Sequence, residues 1–166
     1  MVESASTRGT LTDVSKSISV AVPPDEAFRI FVERPIEWLP AGHTFIRNPQ
    51  AVTLQSWAGG CFVEHGADGT EVVRGTIVEC QPPSRLVMTW RVGADWRPVH
   101  DDEKASRIQV EFVATGPHTT NVILTHTELY RHGDAAAAIR SAVDGAGPGD
   151  TLKAYARVVA RHANQR

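Results

Sequence analysis

Residues 74–90 read RGTIVECQPPSRLVMTW, two apolar, β-branched stretches divided by Gln81-Pro82-Pro83-Ser84. Neither proline can donate a ladder hydrogen bond, so the pair closes one strand and turns the chain toward the next. The stretch therefore predicts a β-hairpin. A lone hairpin is only marginally stable in water and needs further strands or a helix against its apolar face. What covers that face decides the fold.

Outward from the hairpin the two-residue period persists. Ala51 to Trp57, Cys61 to His65, Glu71 to Cys80, Arg85 to Val92, Ser106 to Ala114 and Thr119 to Leu129 are expected strands. Gly59-Gly60, Gly66-Ala67-Asp68-Gly69, the proline pair and Thr115-Gly116-Pro117-His118 supply turn chemistry between them. Such short connections make neighbouring strands antiparallel. The exception is Gly93 to Ala105, a polar stretch containing Trp96 and His100 that is longer than a tight hairpin needs.

Upstream, Val14 to Val22 alternates with Ile18, Val20 and Val22 on one side, the pattern of a half-buried strand. Pro23-Pro24-Asp25-Glu26 ends it and starts a helix, with acidic residues where the helix dipole favours them. Pro35 stops that helix, and Ile36 to Leu39 predicts one further turn. Downstream, Ala135 to Val143 and the breaker DGAGPG at residues 144–149 precede a closing amphipathic helix with Asp150 as its N-cap. Leu152, Tyr155, Val159 and His162 share one face of it, and Lys153, Arg157 and Arg161 another. With no second helix of comparable length expected, its apolar stripe should lie against the sheet and cover the hairpin.

Composition narrows the function. The chain has 166 residues, 42% hydrophobic and 22% charged, within the range of one globular domain. The 17 basic and 19 acidic residues give a net charge of −2 with no basic stripe, which argues against nucleic acid as a partner. No run approaches a membrane span and the start lacks an apolar signal stretch, so a cytoplasmic protein is expected. Cys61 and Cys80 are too few for a disulfide framework, and the seven histidines lack i, i+4 zinc spacing. No metal or cofactor is expected. Neither a nucleophile elbow nor a phosphate-cradling glycine loop occurs.

The order of one strand, a helical segment, six antiparallel strands and a long closing helix resembles the α+β helix-grip, START-like (SRPBCC) superfamily. At residue level the chain resembles the activator-of-heat-shock-ATPase homologue group, through VAVPPDEAF at residues 20–28, Trp38, GGCF at 59–62, GTIVECQPPSRLVMTW at 75–90 and LTHTE at 124–128. One departure is Gly147-Pro148-Gly149, where members often carry Gly-Trp at the start of the last helix. The resemblance spans roughly residues 14–163 and implies one domain from residue 14 to 166 behind a flexible segment, 1–13. It also implies a curved sheet of about seven strands wrapping the long helix, with a cavity between them.

Several residues are candidate walls of that cavity. Ile18-Val20-Val22, Ile108-Val110-Phe112 and Leu86-Met88-Trp90 form the inward faces. Trp38, Trp57, Phe62, Met88, Trp90, Phe112 and Tyr155 provide aromatic or soft bulk that suits a pocket and a core equally. Arg74 would bind an acidic ligand group if it faced inward, although an exposed or rim arginine is the expectation. His126 falls on the buried phase of its strand with Glu128 two places on, and a carboxylate partner would raise its pKa. The plainer reading, a core histidine bonded to a backbone carbonyl, is preferred. The resemblance thus implies binding of a small hydrophobic or aromatic molecule without a demonstrable catalytic motif, by a monomer or homodimer. The alternatives are a cyclase, dehydratase or hydrolase using His126 as general acid or base, and a chaperone-associated module.

Overall fold

A computed structural model describes residues 12–39, 43–93, 97–145 and 150–164. Seven strands form one antiparallel sheet: β1 (Val14–Val20), β2 (Ala51–Leu54), β3 (Cys61–His65), β4 (Glu71–Gln81), β5 (Arg85–Trp90), β6 (Ser106–Gly116) and β7 (Thr119–Thr127). Their order is β1-β7-β6-β5-β4-β3-β2. Every step but one joins strands adjacent in the chain; β1 closes against β7. Register irregularities at Phe62/Val63, Ile77/Glu79 and Ala114/Gly116 bend the sheet, as bulges do by adding local twist and curvature. Gly75 lies so close to the neighbouring strand that a Cβ there would meet the Thr89 carbonyl oxygen at 2.1 Å. That position admits glycine alone.

Four helices accompany the sheet: α1 (Pro24–Glu33), the single turn α2 (Pro35–Trp38), α3 (Ala136–Asp144) and α4 (Thr151–Asn164). The prolines act as the sequence suggests, each standing in the first turn of α1 or α2 where its missing N–H costs nothing. Along α4, Leu152, Tyr155, Val158 and Val159 are buried while Lys153, Arg157 and Arg161 are exposed. This stripe lies in the main core with Leu86, Val110, Phe112 and Val122 of the sheet. It does not meet the sheet alone. Phe31 of α1 packs edge-on against Tyr155 at 5.4 Å, and the Tyr155 hydroxyl donates to the Ala27 carbonyl at 2.6 Å. Glu37 of α2 takes Arg161 at 3.4 Å and His162 at 3.3 Å.

Four strands end earlier than their alternation predicts, β1 among them, which stops at Val20 as the chain bends toward α1. β2 stops at Leu54 because residues 55–60 turn through Trp57 N–H to Gln55 and Gly60 N–H to Trp57 hydrogen bonds, with Gly59 at φ +89°. β5 stops at Trp90. β7 stops at Thr127 because Glu128 is left-handed, φ 55°, and turns the chain into a 3₁₀ stretch, Leu129–Ala135. Leu129 belongs to a second cluster with Val14, Ile139 and Val143, which seats α3 beside the sheet edge. The hairpin turn contains a cis Pro82–Pro83 bond. Trp96 and the Gly147-Pro148-Gly149 breaker lie outside the described residues.

Candidate functional site

Sheet register explains how a histidine enters an apolar face. Met88 pairs with Ile108, Ile108 with His126, and His126 with Val14, so the imidazole stands in a cross-strand row of hydrophobic side chains. One row along, Leu86, Val110 and Leu124 continue the core. His126 is 4% exposed, and its Nδ1 has no hydrogen-bond partner among the described residues. Burial, reinforced by the nearby His132, pushes its pKa down to about 3. The side chain is therefore a neutral imidazole at neutral pH. Trp90 fixes its ring edge-on at 5.4 Å and touches His132 in the same way at 5.8 Å. His132 in turn holds Ser106, 2.8 Å from its hydroxyl and 3.2 Å from its amide nitrogen.

His126 is buried, as a core histidine would be, but among the described residues neither of its expected partners is present at Nδ1. Glu128 does not accompany it, because the left-handed turn swings that carboxylate outward to Arg131 at 2.9 Å and Arg107 at 3.9 Å. The pKa accordingly falls where a carboxylate partner would have raised it. Nor does a backbone carbonyl satisfy Nδ1.

The row borders a cavity of about 320 Å³. Its apolar wall comes from Phe31, Trp38, Phe62, Met88, Trp90 and Ile108, and its polar lining includes Thr44, Arg74, Thr89, His126 and Thr151. Trp38 is held in place by stacking on Phe31 at 4.5 Å and by an indole N–H bond to the Phe31 carbonyl at 2.9 Å. Only Thr151, the first residue of α4, reaches the space from that helix. The cavity thus lies toward one end of the sheet's concave face, roofed by α1, α2 and residues 43–45, and the body of α4 fills the rest.

Arg74 is the largest correction to the expected surface. Its side chain is 11% exposed and pairs through Nη1 with the fully buried Glu64. The guanidinium lies 5.3 Å from the Phe45 ring centre and 5.5 Å from that of Phe62. Burial lowers its pKa from the usual arginine value while Glu64 draws it back up. Glu64 in turn accepts the backbone amides of Phe45 at 2.9 Å and Ile46 at 2.7 Å, pinning the segment over the cavity. Glu64 went unnoticed in the sequence, although it shares the inward phase with Phe62 two residues before it. A carboxylate on the apolar phase of a strand was the available signal. Phe31, His43 and Phe45 carry no comparable signal, since only the tertiary fold brings them to this wall.

Of the ten candidate residues, Trp38, Phe62, Arg74, Met88, Trp90 and His126 line the cavity. Phe112 lies behind it in the core, edge-on to Phe28 at 5.3 Å and Phe31 at 5.8 Å. Tyr155 is fully buried as a clamp between α4 and α1, and burial there raises its hydroxyl pKa above the ordinary value. Trp57 is 57% exposed and Glu128 faces the arginines outside. Neither touches the cavity.

The architecture and its sequence meet known proteins at this point. The model of the family described as "Activator of Hsp90 ATPase homolog 1-like protein" matches residues 21–147. The chain belongs to this family. Its fold is the helix grip of the START-like superfamily, a curled seven-stranded sheet with a C-terminal helix and short additional helices. Among solved structures it is similar to Txn09, an anthrahydroquino-γ-pyrone synthase complexed with SUM. The two are 42% identical over 89% of this chain and 97% of that one, with a TM-score of 0.63. It is also similar to CalC of Micromonospora echinospora, a self-sacrificing resistance protein, at 25% identity over 90% and 95% of the two chains and a TM-score of 0.62. Protein MLL2253 of Mesorhizobium loti shares the fold, with a TM-score of 0.63 over 90% and 98% of the chains, at 14% identity. A search of curated proteins gives no match. Among the described residues, no helix of this family member is long and apolar enough to cross a membrane.

Proposed function

We propose that this protein binds a flat, largely apolar aromatic molecule in the cavity and promotes a ring closure on it. The observation that carries the reading is a buried, neutral imidazole, His126, set into an otherwise aromatic and aliphatic wall. At about 320 Å³ the space falls at the small end of the roughly 300–1,000 Å³ typical of ligand pockets. Trp38, Phe62 and Trp90 offer faces and edges to a planar ring system. The similarity to Txn09, which extends over nearly the whole of that chain, supports both the ligand class and the reaction.

The chemistry follows from the environment. A hydroxyl oxygen of the substrate adds to a carbonyl carbon of the same molecule, forming a C–O bond, and water then leaves to complete an oxygen heterocycle. Atoms balance without an oxidant or reductant. The cavity's contribution is to hold the two groups in a reactive conformer, which converts rotational freedom into rate. His126 hydrogen-bonds the reacting oxygens and relays a proton from the attacking hydroxyl to the departing one. Because an isolated imidazolium is costly here, its pKa of about 3 suits a concerted relay better than a resting base. A neutral histidine can also polarise a carbonyl by donation.

A second reading is sequestration without turnover, favoured by that same depressed pKa and by the similarity to CalC. The two separate cleanly. Calorimetry and thermal shift with hydroxyaryl ketones and anthraquinones should reveal binding, and chromatography should reveal conversion with loss of water. His126→Phe is expected to keep binding and lose conversion at least a hundredfold. Binding with no conversion of any such ketone would leave sequestration, and no binding of any planar aromatic would overturn both.

A further inference from the structure

We propose that the cavity selects aromatic ligands bearing an ionised ring oxygen, a phenolate or its enolate equivalent, and that Arg74 is the residue that recognises it. This deepens, and rests on, the reading of the cavity as an aromatic-ligand site. Glu64 shows why. Both of its oxygens are engaged by backbone amides, Oε1 by Ile46 and Oε2 by Phe45, before Arg74 adds its Nη1–H to Oε2. The carboxylate thus shares its oxygens between two amides and one Arg74 nitrogen, so the ion pair occupies Nη1 alone and leaves the other guanidinium donors uncommitted to Glu64.

The donors tell the same story. A guanidinium presents five N–H groups. Nη1 serves Glu64 and, at 3.2 Å, the His43 carbonyl; among the described residues Nε is buried with no hydrogen-bond partner, and Nη2, which is not sealed off, makes no hydrogen bond either. Native proteins rarely leave a buried charged donor unmatched, because the lost hydration is not recovered. The Phe45 and Phe62 rings both lie within cation–π range of the guanidinium, at 5.3 and 5.5 Å. Arg74 is also the one lysine or arginine among the described residues lining the cavity.

A guanidinium paired through one nitrogen, with donors left over in an apolar space, suits a ligand oxygen that accepts strongly, such as a delocalised anion. A phenolate on a fused ring system offers an acceptor oxygen with low desolvation cost, and the rings fill the aromatic wall. A phosphate would bring more charge than one arginine can answer. The same contact lowers the pKa of the ligand's hydroxyl, since an adjacent positive charge in low dielectric favours its ionised form. A deprotonated oxygen is the stronger nucleophile for the ring closure proposed above. Arg74 would thereby set which hydroxyl attacks.

The test uses two dyes, anthraquinone and 1,2-dihydroxyanthraquinone, the second of which changes its visible absorption on ionisation. The full-length protein is expected to bind the dihydroxy dye in its ionised form and to lower its apparent pKa by at least one unit. In Arg74→Met that spectral shift should vanish, and affinity for the dihydroxy dye at pH 7 should fall at least tenfold more than affinity for anthraquinone. Because Arg74→Met strands Glu64, the double variant Glu64→Gln/Arg74→Met keeps the comparison valid if the single variant does not fold. A dye bound in its neutral form, or equal affinity with Arg74 replaced, overturns the inference while leaving the aromatic-ligand reading intact. Binding of neither dye overturns both.

Discussion

Two side chains do at residue scale what apolar alternation alone would forbid, placing ionisable groups inside. His126 avoids the penalty by staying neutral, and stability should record this. Its ordinary pKa is 6.5 and its folded value about 3, so between those limits the unfolded chain takes up a proton that the folded chain refuses. Stability is then intact above about pH 6.5 and falls as pH drops toward 3. His132 contributes in the same direction, its pKa also lowered by burial. At about 1.4 kcal/mol per unit, the His126 share amounts to a few kcal/mol. Urea unfolding of His126→Gln between pH 7 and 4 should show a clearly flatter pH dependence than the parent. Glu64 avoids the penalty by pairing. Glu64→Gln leaves Arg74 buried without its counter-charge and should cost about 3 kcal/mol or more. Removing both charges in the Glu64→Gln/Arg74→Met variant should cost less than that single change, which equilibrium denaturation of the pair would show.

Among the elements, hairpin β4–β5 and helix α4 are the pieces whose contacts matter most. Gly75 brings β4 against Thr89, where an added Cβ meets a backbone oxygen that cannot give way. Gly75→Ala should therefore destabilise by about 2 kcal/mol or more and disturb the neighbouring Arg74. Circular dichroism melts and dye binding would register the two effects separately. Helix α4 is tied to α1 through the buried Tyr155 hydroxyl, and Tyr155→Phe should cost about 1 kcal/mol with binding unaffected. A larger loss of affinity than of stability would place Tyr155 in the cavity after all. The strands, the proline-started helices and the α4 stripe were all legible, because each is written in local periodicity and turn chemistry. Their ends were less so. Trp57 and Glu128 continue the alternation of their strands, yet a glycine turn in one case and a left-handed residue in the other take them out of the sheet.

For the whole molecule, the decisive property is that the concave face of the sheet is filled at one end and open at the other. Neighbouring inward residues of β6 should report the difference. Val110→Phe adds volume to a packed core and should cost about 1–3 kcal/mol, whereas Ile108→Phe grows into the cavity and should cost under about 1.5 kcal/mol. The second change should also abolish any ligand-induced rise in melting temperature, because the space would be taken. Equal costs at the two positions would mean that the cavity collapses in solution. The helix-grip fold, the hairpin and the inward phase of Met88, Trp90 and His126 followed from alternation, breakers and family likeness, since these depend on neighbours close in the chain. Burial of Arg74, the outward turn of Glu128, the unbonded Nδ1 of His126 among the described residues and the bonds from Glu64 to the amides of residues 45 and 46 did not follow. Each depends on partners far away in sequence, and burial, charge and hydrogen bonding are properties of the assembled surroundings rather than of any one strand.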